Sequence, residues 1–206
     1  MNDAPVAERN REQTSARILA AVGEVLARDG FGGIGINAIA KQAGVDKVLI
    51  YRYFGGMAEL LKTWGASGKF WPSLDELLGD DPSTLLALPP DQRFIQFMEH
   101  FIDGLRARPL TLEILAAEVA EHNELAAILE TEREEWGVRA IELLGGSEFV
   151  AHPELRAISN LLVCGVQYLL IRSRKLEIFG GVNIQSDEGW DEIKVAVRLM
   201  AAKLFS

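Results

Sequence analysis

Apolar positions first fall into a helical rhythm at Ile18, Leu19, Val22, Val25 and Leu26. Spacings of this kind put them on one side of a helix running from about Thr14 to Arg28. Thr14 or Ser15 is placed to cap its start, Asp29-Gly30 to stop it, and Phe31 to anchor the connection that follows. Residues Ile36 to Phe54, INAIAKQAGVDKVLIYRYF, repeat the rhythm in two short bursts. Ala40 is small where two helices would cross, and Gly44 falls where a left-handed turn is cheap only without a Cβ. Ile50 would plug the second helix into the first, with Ile39, Ala43, Val45 and Tyr53 at the remaining inward positions. Asp46 follows the turn as an N-cap. A small residue, a turn glycine and an apolar plug at these offsets predict a helix-turn-helix corner. That shape lays its second helix in the major groove of DNA.

The pattern behind the corner is helical throughout. Gly55-Gly56 breaks the chain, and a fourth helix from Met57 carries Leu60, Leu61 and Trp64 inward. Gly65, Gly68 and Pro72 interrupt the rhythm at a seam, and Asp80-Asp81-Pro82 and Leu88-Pro89-Pro90 mark loops. Further helices are predicted over Asp91–Arg106, Leu110–Glu121, Asn123–Leu144, Pro153–Ile178 and Ser186–Phe205, with Gly145-Gly146 and Gly180-Gly181 at helix ends. No segment alternates with period two, so the chain is predicted to be all-α. Residues 1–56 form the corner domain, with an arm over 1–13, and residues 57–206 a larger helical domain.

Composition changes this picture in one respect. The 206 residues, 49% hydrophobic and 25% charged, describe an ordinary globular chain. The most apolar run, Leu161 to Ile171, is about half the ~20 residues needed to span a bilayer. Residues 1–15 carry no apolar stretch of the kind a secretory signal needs. The lone Cys164 cannot form an intramolecular disulfide and reads as a small buried hydrophobe. The net charge of −9 looks wrong for a DNA-binding protein until it is divided. Through residue 63 eight Lys/Arg oppose seven Asp/Glu, whereas the remainder carries thirteen against twenty-three. An acidic body keeps itself off the phosphate backbone and leaves contact to a small N-terminal patch.

With a leading helix, this corner and a helix-initiating segment behind it, residues 14–62 resemble the N-terminal domain of TetR-family transcriptional regulators. The matching stretches are ARILAAVGEVLARDGF (Ala16–Phe31), INAIAKQAGV (Ile36–Val45) and IYRYF (Ile50–Phe54). The rest matches only in architecture. The resemblance implies a cytoplasmic homodimeric regulator, ordinarily a repressor, that binds a palindromic operator in double-stranded DNA. A small-molecule effector in the C-terminal domain would release it, with no cofactor, metal or membrane involved. On the family pattern Asn37, Lys47, Val48, Leu49, Tyr51, Arg52 and Tyr53 approach DNA. Lys47 suits a guanine edge or a phosphate, Asn37 an adenine edge, and Arg52 supplies a permanent charge. Tyr51 and Tyr53 suit phosphates, one of them as a half-buried strut. Val48 and Leu49 replace the glycine and threonine that relatives often carry, and suit thymine methyl groups unless one of them faces the core. Ile34-Gly35 lacks the usual Thr/Ser cap, and Met57 stands where a phosphate-clamping lysine is usual. Arg9 and Arg11 on the arm are candidate replacements.

Aromatic residues gather in the second domain. Phe94, Phe97, Met98 and Phe101 share one helical face, which serves either as plain core or as the lining of a ligand cavity. Trp71, Phe97, Phe101 and Tyr168 are the candidate ligand contacts, implying a largely apolar effector. Catalysis finds no foothold: Glu118/His122 and His100/Asp103 each lack a third ligand nearby, and no glycine pair has the context of a phosphate loop. The expected function is therefore regulatory, not enzymatic. The alternative is a chain that keeps the fold and binds small molecules or partners without an operator.

Overall fold

The computed structural model describes residues 6–120 and 123–205. Among these lie eleven helices: α1 (Val6–Gly33), α2 (Ile36–Ala43), α3 (Lys47–Phe54), α4 (Met57–Gly65), α5 (Leu74–Leu78), α6 (Pro82–Leu86), α7 (Pro90–Arg106), α8 (Pro109–Ala120), α9 (Glu124–Ala151), α10 (Pro153–Ser173) and α11 (Asp187–Leu204). Two short strands, β1 (Ile178–Phe179) and β2 (Val182–Asn183), pair antiparallel, Ile178 opposite Asn183 and Phe179 opposite Val182. The chain divides into two compact units. One holds the chain through Trp71 together with Glu113–Glu132; the other holds Pro72–Leu112 and the chain from Arg133 onward.

The first unit is built on α1. Ile18, Val22, Val25 and Leu26 bury completely, as their spacing predicts, in a core shared with Ile39, Ile50, Leu60 and Leu61. The helix begins earlier than expected. Thr14 donates its hydroxyl to the Asn10 carbonyl at 2.8 Å instead of capping, so Arg9 and Arg11 lie on helical turns and not on a free arm. Residues 1–5 of that expected arm lie outside the described residues. Gly30 (φ 66°, ψ −172°) breaks α1 where the sequence places its stop, and one further turn buries Phe31. The unit also continues past the boundary expected at residue 56, because α4 turns Leu60, Leu61 and Trp64 inward. A Cβ on Gly23 of α1 would stand 3.1 Å from the Trp64 ring, so the absent side chain seats the indole.

In the second unit α7 presents Phe94, Phe97, Met98, Phe101, Ile102 and Leu105 to the core. α11 lies along it, held by Arg198 on Glu99 (2.5 Å), Lys194 on Asp103 (2.7 Å) and Arg106 on Asp187 (2.5 Å). Two short helices that the sequence did not predict lie before and between the two loop signals, which fall at the breaks on either side of α6. Ser73 accepts from the Glu76 N–H to start α5, and Asp81 from the Thr84 N–H to start α6, with Pro82 in its first turn. The glycine pair 145–146 does not end α9, which continues to Ala151. α10 stops at Ser173, short of Ile178, because the chain turns into the hairpin. There Trp190 is buried and donates its indole N–H to the Ile184 carbonyl at 2.8 Å. α10 holds an 18-residue window of mean hydropathy 1.3, long and apolar enough to cross a membrane, with 17% of that window buried. The helix is thus longer than the apolar run that the sequence displays.

Candidate nucleic-acid interface

The corner forms because each of its local signals agrees with its neighbours. Ile39 and Ile50 are fully buried, and Ala40 and Ala43 nearly so. Gly44 adopts the left-handed conformation (φ 63°, ψ 42°) and returns its N–H to the last turn of α2. Asp46 accepts from the Val48 N–H at 2.8 Å and caps α3. Gly35 caps α2 with an extended backbone and no side-chain bond, as the missing Thr/Ser implied.

One clamp was invisible in the sequence. Arg17 of α1 donates to the carbonyls of Ala43 (2.5 Å) and Gly44 (3.1 Å), placing a cation on the negative end of α2 and satisfying groups left free by the helix end. No local pattern couples residues 26 apart. Arg28 extends the brace, donating to Gln42 at 2.9 Å, while Gln42 donates to Glu24 at 2.5 Å. The Arg28 guanidinium, hydrogen-bonded to Asp29, holds that carboxyl below its ordinary range, and Asp29 in turn raises Arg28.

α3 therefore offers a fixed outer side. Lys47, Val48, Tyr51 and Arg52 are all exposed on it, Val48 at 61% and Tyr51 at 53%. Leu49 and Tyr53 are half-buried, so Leu49 is the member of the apolar pair that turns inward and Tyr53 is the strut. Asn37 is exposed on α2. Arg11 lies over the Tyr53 ring at 5.3 Å and joins Asn10, Thr14, Leu49 and Arg52 around a half-polar cleft of about 730 Å³. Among the described residues, Glu8 is the one acidic group lining that cleft. Two guanidinium groups, a phenol and a hydroxyl within one cleft form a donor set suited to phosphate oxygens. Met57, at the start of α4, adds no charge.

The expected ligand residues separate. Phe97 and Phe101 stack with centroids 6.5 Å apart, and each meets Trp136 at 6.1 and 6.2 Å. Tyr168 does not join them: it is 51% exposed and meets Phe179 edge-on at 5.9 Å. Val166 and Leu170 take the inward positions of α10, and Tyr168, midway between them, points the other way. Trp71 is buried in the first unit, 6.1 Å from Phe70. His100 donates Nδ1–H to the Leu77 carbonyl at 2.7 Å, and Asp103 is engaged by Lys194. His122, the partner expected for Glu118, lies outside the described residues.

Comparison with known proteins finds similarity both in the corner and over the whole fold. Residues 18–63 match the family model described as bacterial regulatory proteins, tetR family. The HTH-type transcriptional repressor SCO4008 of Streptomyces coelicolor is 29% identical over 199 residues, covering 94% of this chain and 97% of its own. A TetR-like transcriptional regulator from Rhodococcus sp. RHA1 superposes with a TM-score of 0.63 at 20% identity, covering 98% of this chain and 97% of its own. The fatty acid degradation regulator FadR from Bacillus halodurans does so at 0.62 and 18%, covering 93% and 97%.

Proposed function

We propose that this chain, a transcriptional regulator of the TetR family and not an enzyme, represses by binding a palindromic operator as a homodimer. A small, largely apolar effector releases it. The observation that carries the reading is the outer side of α3, where Lys47, Val48, Tyr51 and Arg52 stand exposed on a corner braced by Arg17 and Arg28. Arg52 and Arg11 serve as phosphate contacts, Lys47 and Asn37 as base readers, and Val48 as the thymine-methyl contact. Leu49 and Tyr53 position the helix, and Tyr51 donates to the backbone.

One copy brings too little charge to hold DNA alone, with a surplus of +1 through residue 63. The exposed apolar face of α10 and α11, with Leu161 at 70% and Leu199 at 66%, supplies the reason for pairing. The same face accounts for the membrane-like hydropathy of α10, whose other side carries Val166 and Leu170 into the core. Phe97, Phe101 and Trp136 are the effector contacts we favour, as an all-aromatic lining suits an apolar ligand. The similarity to a regulator named for fatty acid degradation points the same way.

Selection of bound duplexes from a genomic library should return a palindrome whose half-sites are separated by whole helical turns. Arg52→Ala should weaken binding to every duplex and reduce the salt slope by up to about one unit per lost phosphate contact. Lys47→Ala should instead cost about 1–3 kcal/mol, concentrated at one operator position. A wild-type chain that enriches no sequence would favour a partner-binding role without an operator, in keeping with its net charge of −9.

A further inference from the structure

The outer side of α10 presents Ile158, Leu161, Cys164, Gly165 and Tyr168 on successive turns, all exposed. The cysteine is therefore not the buried hydrophobe its mid-helix position suggested. Nothing among the described residues of one copy accounts for the glycine. Its φ is not positive, and a Cβ there would meet no atom within 4 Å. A glycine inside a helix nevertheless weakens it relative to alanine. On α11, Val195, Ala196, Leu199 and Met200 continue the exposed face. Each stripe has an acid toward its N-terminal end, Glu154 and Glu192, and a base toward its C-terminal end, Arg172 and Lys203.

Resting on the dimer reading above, we infer that α10 crosses the α10 of a second copy antiparallel at Gly165, bringing the two Cys164 thiols within disulfide reach. A two-fold axis covers one face with the same face of its partner and turns each acidic end toward a basic one, which is the pairing these stripes fit. The absent side chain lets the two backbones close at the centre, and the flanking Leu161 and Tyr168 side chains then fill the grooves on either side. The glycine thus sets the register of the dimer.

The single cysteine is its own ruler. Diamide takes up two electrons and two protons as two thiols join in one S–S bond. The native chain at micromolar concentration should pass to a species of twice 22.7 kDa on a non-reducing gel, at a rate independent of protein concentration. Gly165→Leu places its side chain in space that is empty in one copy, so it should keep the native circular dichroism yet sediment as a monomer. Gly165→Ala, which favours the helix, should raise the dimer dissociation constant about tenfold. A native chain that sediments as a monomer overturns the dimer reading itself. A native dimer that resists cross-linking, or is unmoved by both substitutions, keeps that reading and overturns the crossing at Gly165.

Discussion

Gly35 and Gly44 bracket α2 and ask different things of the backbone. Gly44 sits at φ 63°, where a side chain is strained, and a Cβ there would also approach the Arg17 guanidinium to 3.1 Å. Gly44→Ala should therefore destabilise the corner by about 1–2 kcal/mol, read as a lower urea midpoint at unchanged slope. Gly35 is merely extended at φ −171°, and a Cβ there meets nothing. A serine at that position gains a hydroxyl for the free N–H groups of α2. Gly35→Ser should raise stability by a few tenths of a kcal/mol in the same titration, and a loss would place an unseen demand on that residue.

Among elements, the placement of α11 depends on its first turn. A Cβ on Gly189 would lie 1.8 Å from the Asn183 carbonyl oxygen, a backbone atom that cannot step aside cheaply. Gly189→Ala should displace the start of α11 and lower stability by about 1–3 kcal/mol or more, with the buried Trp190 fluorescence shifting to the red. Acid should loosen the same end. The Arg106 guanidinium bonds to Asp187 and holds its carboxyl below the ordinary 3.8, so protons bind this group more readily in the unfolded chain. The stability it contributes is complete above that value and is lost as the pH falls through the lowered native one. Asp187 is largely exposed, so the effect is small. Asp187→Asn should flatten the acid limb of a melting-temperature profile slightly; a change confined to neutral pH would contradict this account.

For the whole molecule, the proposed release of DNA by an effector would require that ligand to bind one operator-binding state better than another, typically by about 1–3 kcal/mol. Phe101 is fully buried between Phe97 and Trp136, so enlarging it fills whatever space a ligand would take there. Phe101→Trp should weaken the response to apolar effectors, measured as operator release on titration, while leaving operator affinity of the free protein intact. Equal loss of both would mark Phe101 as plain core.

Much of the first unit was legible because its determinants are local. Gly44, Asp46 and Ile50 act over a turn or two, so spacing alone located the corner, its cap and its plug. The family resemblance then offered α3 as the candidate face toward DNA. Contacts between distant residues were not legible: Arg17 reaches the end of α2 from 26 residues away, and Gly23 makes room for Trp64. Periodicity likewise could not tell which apolar residues on α10 serve the core and which face outward. That helix is apolar on both sides; packing turns Val166 and Leu170 inward and leaves Tyr168 beside Phe179, on the apolar groove between α10 and α11 and away from Phe97 and Phe101. The sequence by itself determined the helices of the corner and the division of charge, since both depend on neighbouring residues. Tertiary structure alone decided which faces were buried, because burial depends on what the rest of the chain brings alongside.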